Sequence, residues 1–300
     1  MTAPLTRRDL IRAAAVTAGA FAALPALSQD KKKPVPILSC ETYSLRDMYR
    51  DGKLTLEATP ALFKELNIPG ISWNDMFFKS WDTAYLDALK SAAAAAGVKS
   101  TCLIMEGNLA QADLDKRKKQ VEENIKKLKA ADHMGIPVVR MNLGGTGNDL
   151  DDDNIGVQRC ITAFNEMLPL AVRFNIKITI ENHGGCSKTA DRIIHVIDGT
   201  DPRWVGSCLD FGNWPREPKE LKYKEIEKLV PYAYHTHAKS HTFDSSGEEP
   251  DIDYKRVLGM LKKAKYIGAI SIEWEGADPK DPVEGVKRTR DLVRKHWKGV

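Results

Sequence analysis

The stretch Ile176-Lys177-Ile178-Thr179-Ile180-Glu181-Asn182-His183-Gly184-Gly185 decides the fold. It is a short β-branched run that stops at a carboxylate, an amide and an imidazole, with two glycines after them. Apolar runs of roughly 4–8 residues bounded by glycine read as buried parallel strands. Polar residues just beyond such a strand stand at its C-terminal end, where parallel α/β folds keep their chemistry. Three later runs close in the same manner, at Asp210, His237 and Glu273.

Outward from that stretch, strand and helix alternate. Strands are predicted at residues 37–40, 71–73, 99–105 and 138–142 before it, and at 204–209, 232–237 and 269–273 after it. Helices are predicted at 55–66, 83–96, 113–134, 155–174, 189–197, 222–229, 254–265 and 282–297, with an acidic loop at 149–153. Eight strands alternating with eight helices specify a single (β/α)8 TIM barrel over residues 36–300. A doubly wound sheet would use the same elements, but its site lies at one switch point and would not place polar residues at four strand ends.

Residues 1–28 read as a targeting segment. Thr6-Arg7-Arg8-Asp9-Leu10-Ile11-Arg12 is a twin-arginine region, residues 13–24 are apolar and alanine-rich, and Ala26-Leu27-Ser28 offers small residues to a peptidase. The expectation is a Tat signal peptide and periplasmic export, with no stable membrane insertion once it is removed; an uncleaved anchor is the alternative. Residues 29–35, with Lys31-Lys32-Lys33-Pro34, then form a solvated linker. The net charge of +4 comes partly from Arg7, Arg8 and Arg12 and lacks the basic stripe of a nucleic-acid binder. The five cysteines are scattered without a C-x-x-C pair, which points to buried thiols and away from a structural zinc site; Cys186 is the one to check. Nothing in the composition fixes an oligomeric state.

Alternate residues of a barrel strand face inward, so Glu181 with His183, His235 with His237, and Glu273 with Glu275 are pairs that can share the pocket. A lone carboxylate at a strand end is often a helix cap. Glu181, Asp210, His237 and Glu273 on consecutive strands form instead a hard ligand set for one divalent metal ion, suited to Mn2+, Mg2+ or Co2+ and compatible with Zn2+. A cation chelated by a substrate hydroxyl and carbonyl acidifies the neighbouring C–H, and Glu181 and Glu273 are placed as an acid/base pair. This is the chemistry of an isomerase or epimerase of a sugar or polyol carbonyl through a cis-enediolate. The same proton abstraction allows β-elimination by a lyase or dehydratase on a keto sugar or 3-keto-glycoside; a sugar-binding barrel without catalysis is the third reading.

The motifs I-E-N-H-G, C-L-D-F-G-N, H-x-H-x-K and I-S-I-E-W-E-G, in that order, resemble those of the sugar phosphate isomerase/epimerase superfamily, the xylose isomerase-like TIM barrels, over residues 35–298. The resemblance implies that Glu181, Asp210, His237 and Glu273 are metal ligands and that His183 and Lys239 meet oxygens of a carbohydrate substrate. Asn213, His235, Arg140 and Glu275 complete the candidate substrate-binding set. For His235 the competing role is a hydrogen-bonded core histidine, and for Arg140 a charge partner of Glu181. Glu106 and Asn142 end their strands similarly. Ketose 3-epimerases carry a histidine where Asn213 stands, and a glutamate in the second strand where this chain has Gly70-Ile71-Ser72-Trp73-Asn74. The histidine-rich cluster of the related endonucleases is missing.

Overall fold

The computed structural model describes residues 35–145, 150–215 and 217–300, with backbone alone for 150–153. The expected signal peptide, all but the last residue of the linker, and Asp149 lie outside the described residues. Strands β1 (Ile37–Glu41), β2 (Gly70–Asn74), β3 (Lys99–Met105), β4 (Val138–Met141), β5 (Lys177–Glu181), β6 (Val205–Asp210), β7 (Ala233–Ser240) and β8 (Ala269–Trp274) close into one parallel barrel in sequence order. The α-helices in chain order are α1 (Arg46–Arg50), α2 (Thr59–Glu65), α3 (Thr83–Ala96), α4 (Leu114–Met134), α5 (Leu150–Phe174), α6 (Ala190–Asp198), α7 (Lys219–Leu229), α8 (Tyr254–Lys263) and α9 (Pro282–His296). Among the described residues no helix is long and apolar enough to cross a membrane.

Local chemistry sets the helix limits. Asp82 accepts from the Tyr85 N–H at 2.8 Å to open α3, and Gly97 closes it in a left-handed conformation. Asp113 caps α4 by accepting from the amides of Asp115 and Lys116, and Gly135 ends it in the same way as Gly97.

Three segments differ from the sequence expectation. The first connection is not one helix over 55–66 but the short α1 and then α2, which starts at Thr59 because Pro60 suits the first helical turn. Residues 150–153 of the expected acidic loop belong to the backbone of α5, so the helix starts five residues before its expected first turn. Strand β7 runs to Ser240, pairing Lys239 with Glu273 and Ser240 with Trp274, so Lys239 is a strand residue.

The barrel interior is layered. Ser39, Ser72, Thr101, Ser271 and His235 form a buried polar tier: Ser39 Oγ lies 2.7 Å from Thr101 Oγ1, and Ser72 Oγ lies 3.0 Å from both Thr101 Oγ1 and Ser271 Oγ. His235 Nε2 joins it 3.3 Å from Ser72 Oγ. Two residues further along β1, β7 and β8 come Glu41, His237 and Glu273. Apolar residues such as Ile178, Ile180, Leu209 and Ile272 pack outward against the helices.

The narrow end of this interior leaves no room at Gly70, opposite Ser39. A Cβ there would meet Leu38 O and Ser39 Cβ at 2.9 Å. Gly70→Ala should therefore cost about 1–3 kcal/mol by overpacking, read as a lower urea midpoint with an unchanged slope.

Candidate active site

The four residues that close β5 to β8 come together. One ligand atom from each of Glu181, Asp210, His237 and Glu273 lies within 4.8 Å of the others. His237 Nδ1 is central: it stands 2.7 Å from Glu181 Oε1, 3.2 Å from Glu273 Oε2 and 3.9 Å from Asp210 Oδ2. The strands hold these groups rigidly. Asn182 clamps β5 to β6, its Oδ1 accepting from the Asp210 amide at 2.9 Å and its Nδ2 donating to Asp210 O at 3.1 Å. Asp210 Oδ1 accepts from the amides of Gly212 and Asn213, both at 2.7 Å, which leaves Oδ2 for the centre.

The site is crowded with carboxyl groups. Glu41, Glu106, Glu181, Asp210, Glu273 and Glu275 gather around two permanent cations, Arg140 and Lys239. Arg140 pairs with Glu181 through Nη2 and with Glu106 Oε1 at 2.7 Å through Nη1. Lys239 Nζ stands 3.6 Å from Asp210 Oδ2 and 3.2 Å from Glu273 Oε2 and Glu275 Oε2.

These contacts divide the carboxylates. Burial pushes Glu181 up, but Arg140 and then His237 outweigh it and hold the group below the ordinary range. Burial is likewise overcome at Glu273 by Lys239 and His237. Burial raises Asp210 well above its usual value despite Lys239, and raises Glu41 to about 8 with help from the Glu273 charge. Asp210 Oδ2 and Glu273 Oε2 are buried without a hydrogen-bond partner. Two such oxygens, a third carboxylate and an imidazole nitrogen converging among so many carboxyl groups fit a divalent cation. No thiolate is in the set.

A cavity of about 160 Å³ opens beside this centre, lined by Glu41, Tyr43, Asn74, Met76, Glu106, Arg140, His183, Glu273 and Glu275. Larger hollows of about 420 and 700 Å³ lie on the outside of the barrel, and the residues lining them include no candidate site residue. Chemistry, and not size, marks the smaller one.

The other candidates fall into place individually. His183 is exposed at the cavity edge, and Glu275 lines the wall while holding Lys239. Lys239 is engaged by three carboxylates and Arg140 by two. Arg140 is thus tied up as the charge partner of Glu181, although it reaches the cavity wall. Asn213 lies beyond Asp210 with its Nδ2 buried and unpartnered. His235 does not line the cavity: it is fully buried in the polar tier, edge-on to His237 at 5.5 Å. All five cysteines are buried thiols, Cys186 included.

Two residues join the site that the sequence reading left out. Glu41 accepts from Asn74 Nδ2 at 2.9 Å through Oε1, and its Oε2 faces His237 Nε2 at 3.5 Å. A histidine offering one nitrogen to a metal commonly has its other nitrogen oriented by a carboxylate, and Glu41 stands where that carboxylate is needed.

Removing Arg140 leaves Glu181 buried and unpaired. Arg140→Leu should cost about 3–5 kcal/mol of stability at neutral pH, measured by chemical denaturation, and lower the divalent metal retained on purification. A loss below 1 kcal/mol would show that the pair carries no such weight.

Comparison with known proteins agrees with this fold. Residues 60–296 match the family described as "Xylose isomerase-like TIM barrel". A C-glycoside deglycosidase alpha subunit from Arthrobacter globiformis is 38% identical over 72 residues, which is 22% of this chain and 20% of that relative, so the likeness spans about a fifth of its length. Among solved structures, D-psicose 3-epimerase with D-fructose superposes with a TM-score of 0.70 at 15% identity, covering 88% of this chain and 100% of that one. The IOLI protein with a bound zinc atom gives 0.71 at 16% identity, covering 87% and 98%. At such identities the two structures attest the fold. The chain belongs to the xylose isomerase-like TIM barrel family.

Proposed function

We propose that this barrel is a divalent-metal-dependent isomerase or epimerase of a sugar or polyol carbonyl. The observation that carries the reading is the pair Glu181 and Glu273, which reach the same His237 nitrogen from β5 and β8 and are both held in the carboxylate form. Glu181, Asp210, His237 and Glu273 would hold the metal ion. When bound, it supplies the charge that polarises the substrate carbonyl and its neighbouring hydroxyl.

The protein's own residues do the rest. One glutamate takes the proton from the carbon beside the carbonyl, and the electron pair of that C–H bond moves into an enediolate. The other glutamate returns a proton, to the opposite face for epimerisation or to the adjacent carbon for isomerisation. Arg140 and Lys239 keep the two carboxylates oriented and their negative charge tolerated. His183, exposed at the cavity edge, meets a substrate oxygen. The twin-arginine segment supports export to the periplasm, which favours an unphosphorylated sugar.

The likeness to a deglycosidase alpha subunit favours a second outcome from the same first step. Here the enediolate expels a group from the β-carbon; that bond breaks with its electron pair going to the leaving group, which is protonated by a glutamate.

Incubation in deuterium oxide tests both readings. Wild-type protein loaded with Mn2+ should introduce deuterium at the carbon beside the carbonyl of a keto sugar, whichever product follows. Glu273→Gln should lower that exchange by roughly 100- to 10,000-fold while the fold is kept. Equal exchange in the variant would remove the two-glutamate mechanism.

A further inference from the structure

A second cavity, of about 140 Å³, lies next to the first and is lined by Gly107, Asn142, Gly144, Gly145, His183, Gly184, Gly185 and Ser187. His183 lines both. The two cavities also meet through Glu106 of the first and Asn142 of the second, joined by a 2.7 Å hydrogen bond from Asn142 Nδ2 to Glu106 Oε2. Each volume falls below the roughly 300 Å³ at which ligand pockets ordinarily begin, whereas the pair together reaches it. Among the described residues the His183 ring, between them, has no hydrogen-bond partner, while its backbone amide donates to Ser187 Oγ at 3.1 Å.

The walls of the second cavity have a definite character. Five of its eight residues are glycines, so the backbone itself forms the surface and its peptide groups can approach a ligand closely. Gly144, Gly145, Gly184 and Gly185 all have positive φ, and a Cβ on Gly184 would meet nothing within 4 Å. Asn142, which lines this cavity, has its Oδ1 buried without a hydrogen-bond partner among the described residues. Such a lining of peptide groups and one side-chain amide suits a hydroxyl-rich occupant and not a flat apolar ring, while Ser187 Oγ holds the loop by donating to Gly184 O at 2.9 Å.

We infer that the two cavities hold one substrate with two units: a keto-sugar ring beside Glu181 and Glu273, and a second sugar or polyol unit in the glycine-lined cavity, with the oxygen that links them at His183. The substrate class is therefore a glycoside of a keto sugar, not a free monosaccharide. This rests on the proton-abstraction reading above and narrows its substrate. Contacts remote from the reacting carbon are used to orient it, so a truncated substrate loses turnover as well as binding.

The test compares 3-ketoglucose, its methyl glycoside and a 3-keto disaccharide as substrates of the Mn2+-loaded full chain, with deuterium wash-in and product formation followed together. The disaccharide should exceed both others in kcat/KM by about tenfold or more, with part of the gain in kcat. In Gly184→Ala, at a residue that lines the second cavity and has open space for the added methyl, the ratio of disaccharide to methyl glycoside should fall toward one. That glycine is left-handed, so a thermal melt checks the variant, and the wild-type comparison stands without it. Exchange on all three sugars at equal efficiency overturns the two-unit substrate and leaves the proton abstraction standing. Absence of exchange from every sugar overturns both.

Discussion

Mutual repulsion among carboxylates is the constraint around which this barrel is built. Four strands deliver Glu181, Asp210, His237 and Glu273 to one point, and β1 adds Glu41 beside His237. Buried like charges are tolerated only when something opposes them. Arg140 and Lys239 do so in part, each bound to more than one carboxylate, and both sit on strands instead of loops. A guanidinium on β4 and an ammonium on β7 therefore bracket the centre with little freedom to move. The charge still unopposed is what suits the place to a metal ion.

Much of this was legible in the sequence because strand-end chemistry has a simple period. Glu181, Asp210, His237 and Glu273 each close an apolar run, and parallel pairing in order brings such ends to one rim. Helices were legible where side chains specify their ends, as at Asp82 with Gly97 or Asp113 with Gly135. Glu41 carried the same signal after Leu38-Ser39-Cys40, but a strand ended at Cys40 cut it off by one residue. Asn74 was obscured differently, since its part is to orient Glu41 and a neutral amide at a strand end announces nothing. The engagement of Lys239 depended on β7 running three residues past its expected end, and that extension is a matter of pairing with β8. His235 shows the limit of a period-two argument: facing inward does not say at which height of the barrel a side chain stops.

The wall residues follow a division of labour along the rim. From β1 to β3 the cavity is edged by Tyr43, Met76 and Glu106, a mixed surface on which the face of a sugar ring can lie. The neighbouring cavity, after β4 and β5, is edged by glycines and small polar groups, so the backbone forms much of its surface. His183 marks the border between these two kinds of surface.

The tier of hydroxyls under the carboxylates has one more consequence. In the contacts among Ser39, Ser72, Thr101 and Ser271, either oxygen of a pair can be the donor, and Thr101 Oγ1 can instead donate to Ile71 O at 3.0 Å, so these hydrogens have alternative acceptors without moving a heavy atom. A floor of valine and leucine could not respond in that way when an ion or a proton arrives above it. These small dipoles can turn within a rigid frame, and so they give the centre a responsive medium that the aliphatic remainder of the protein lacks.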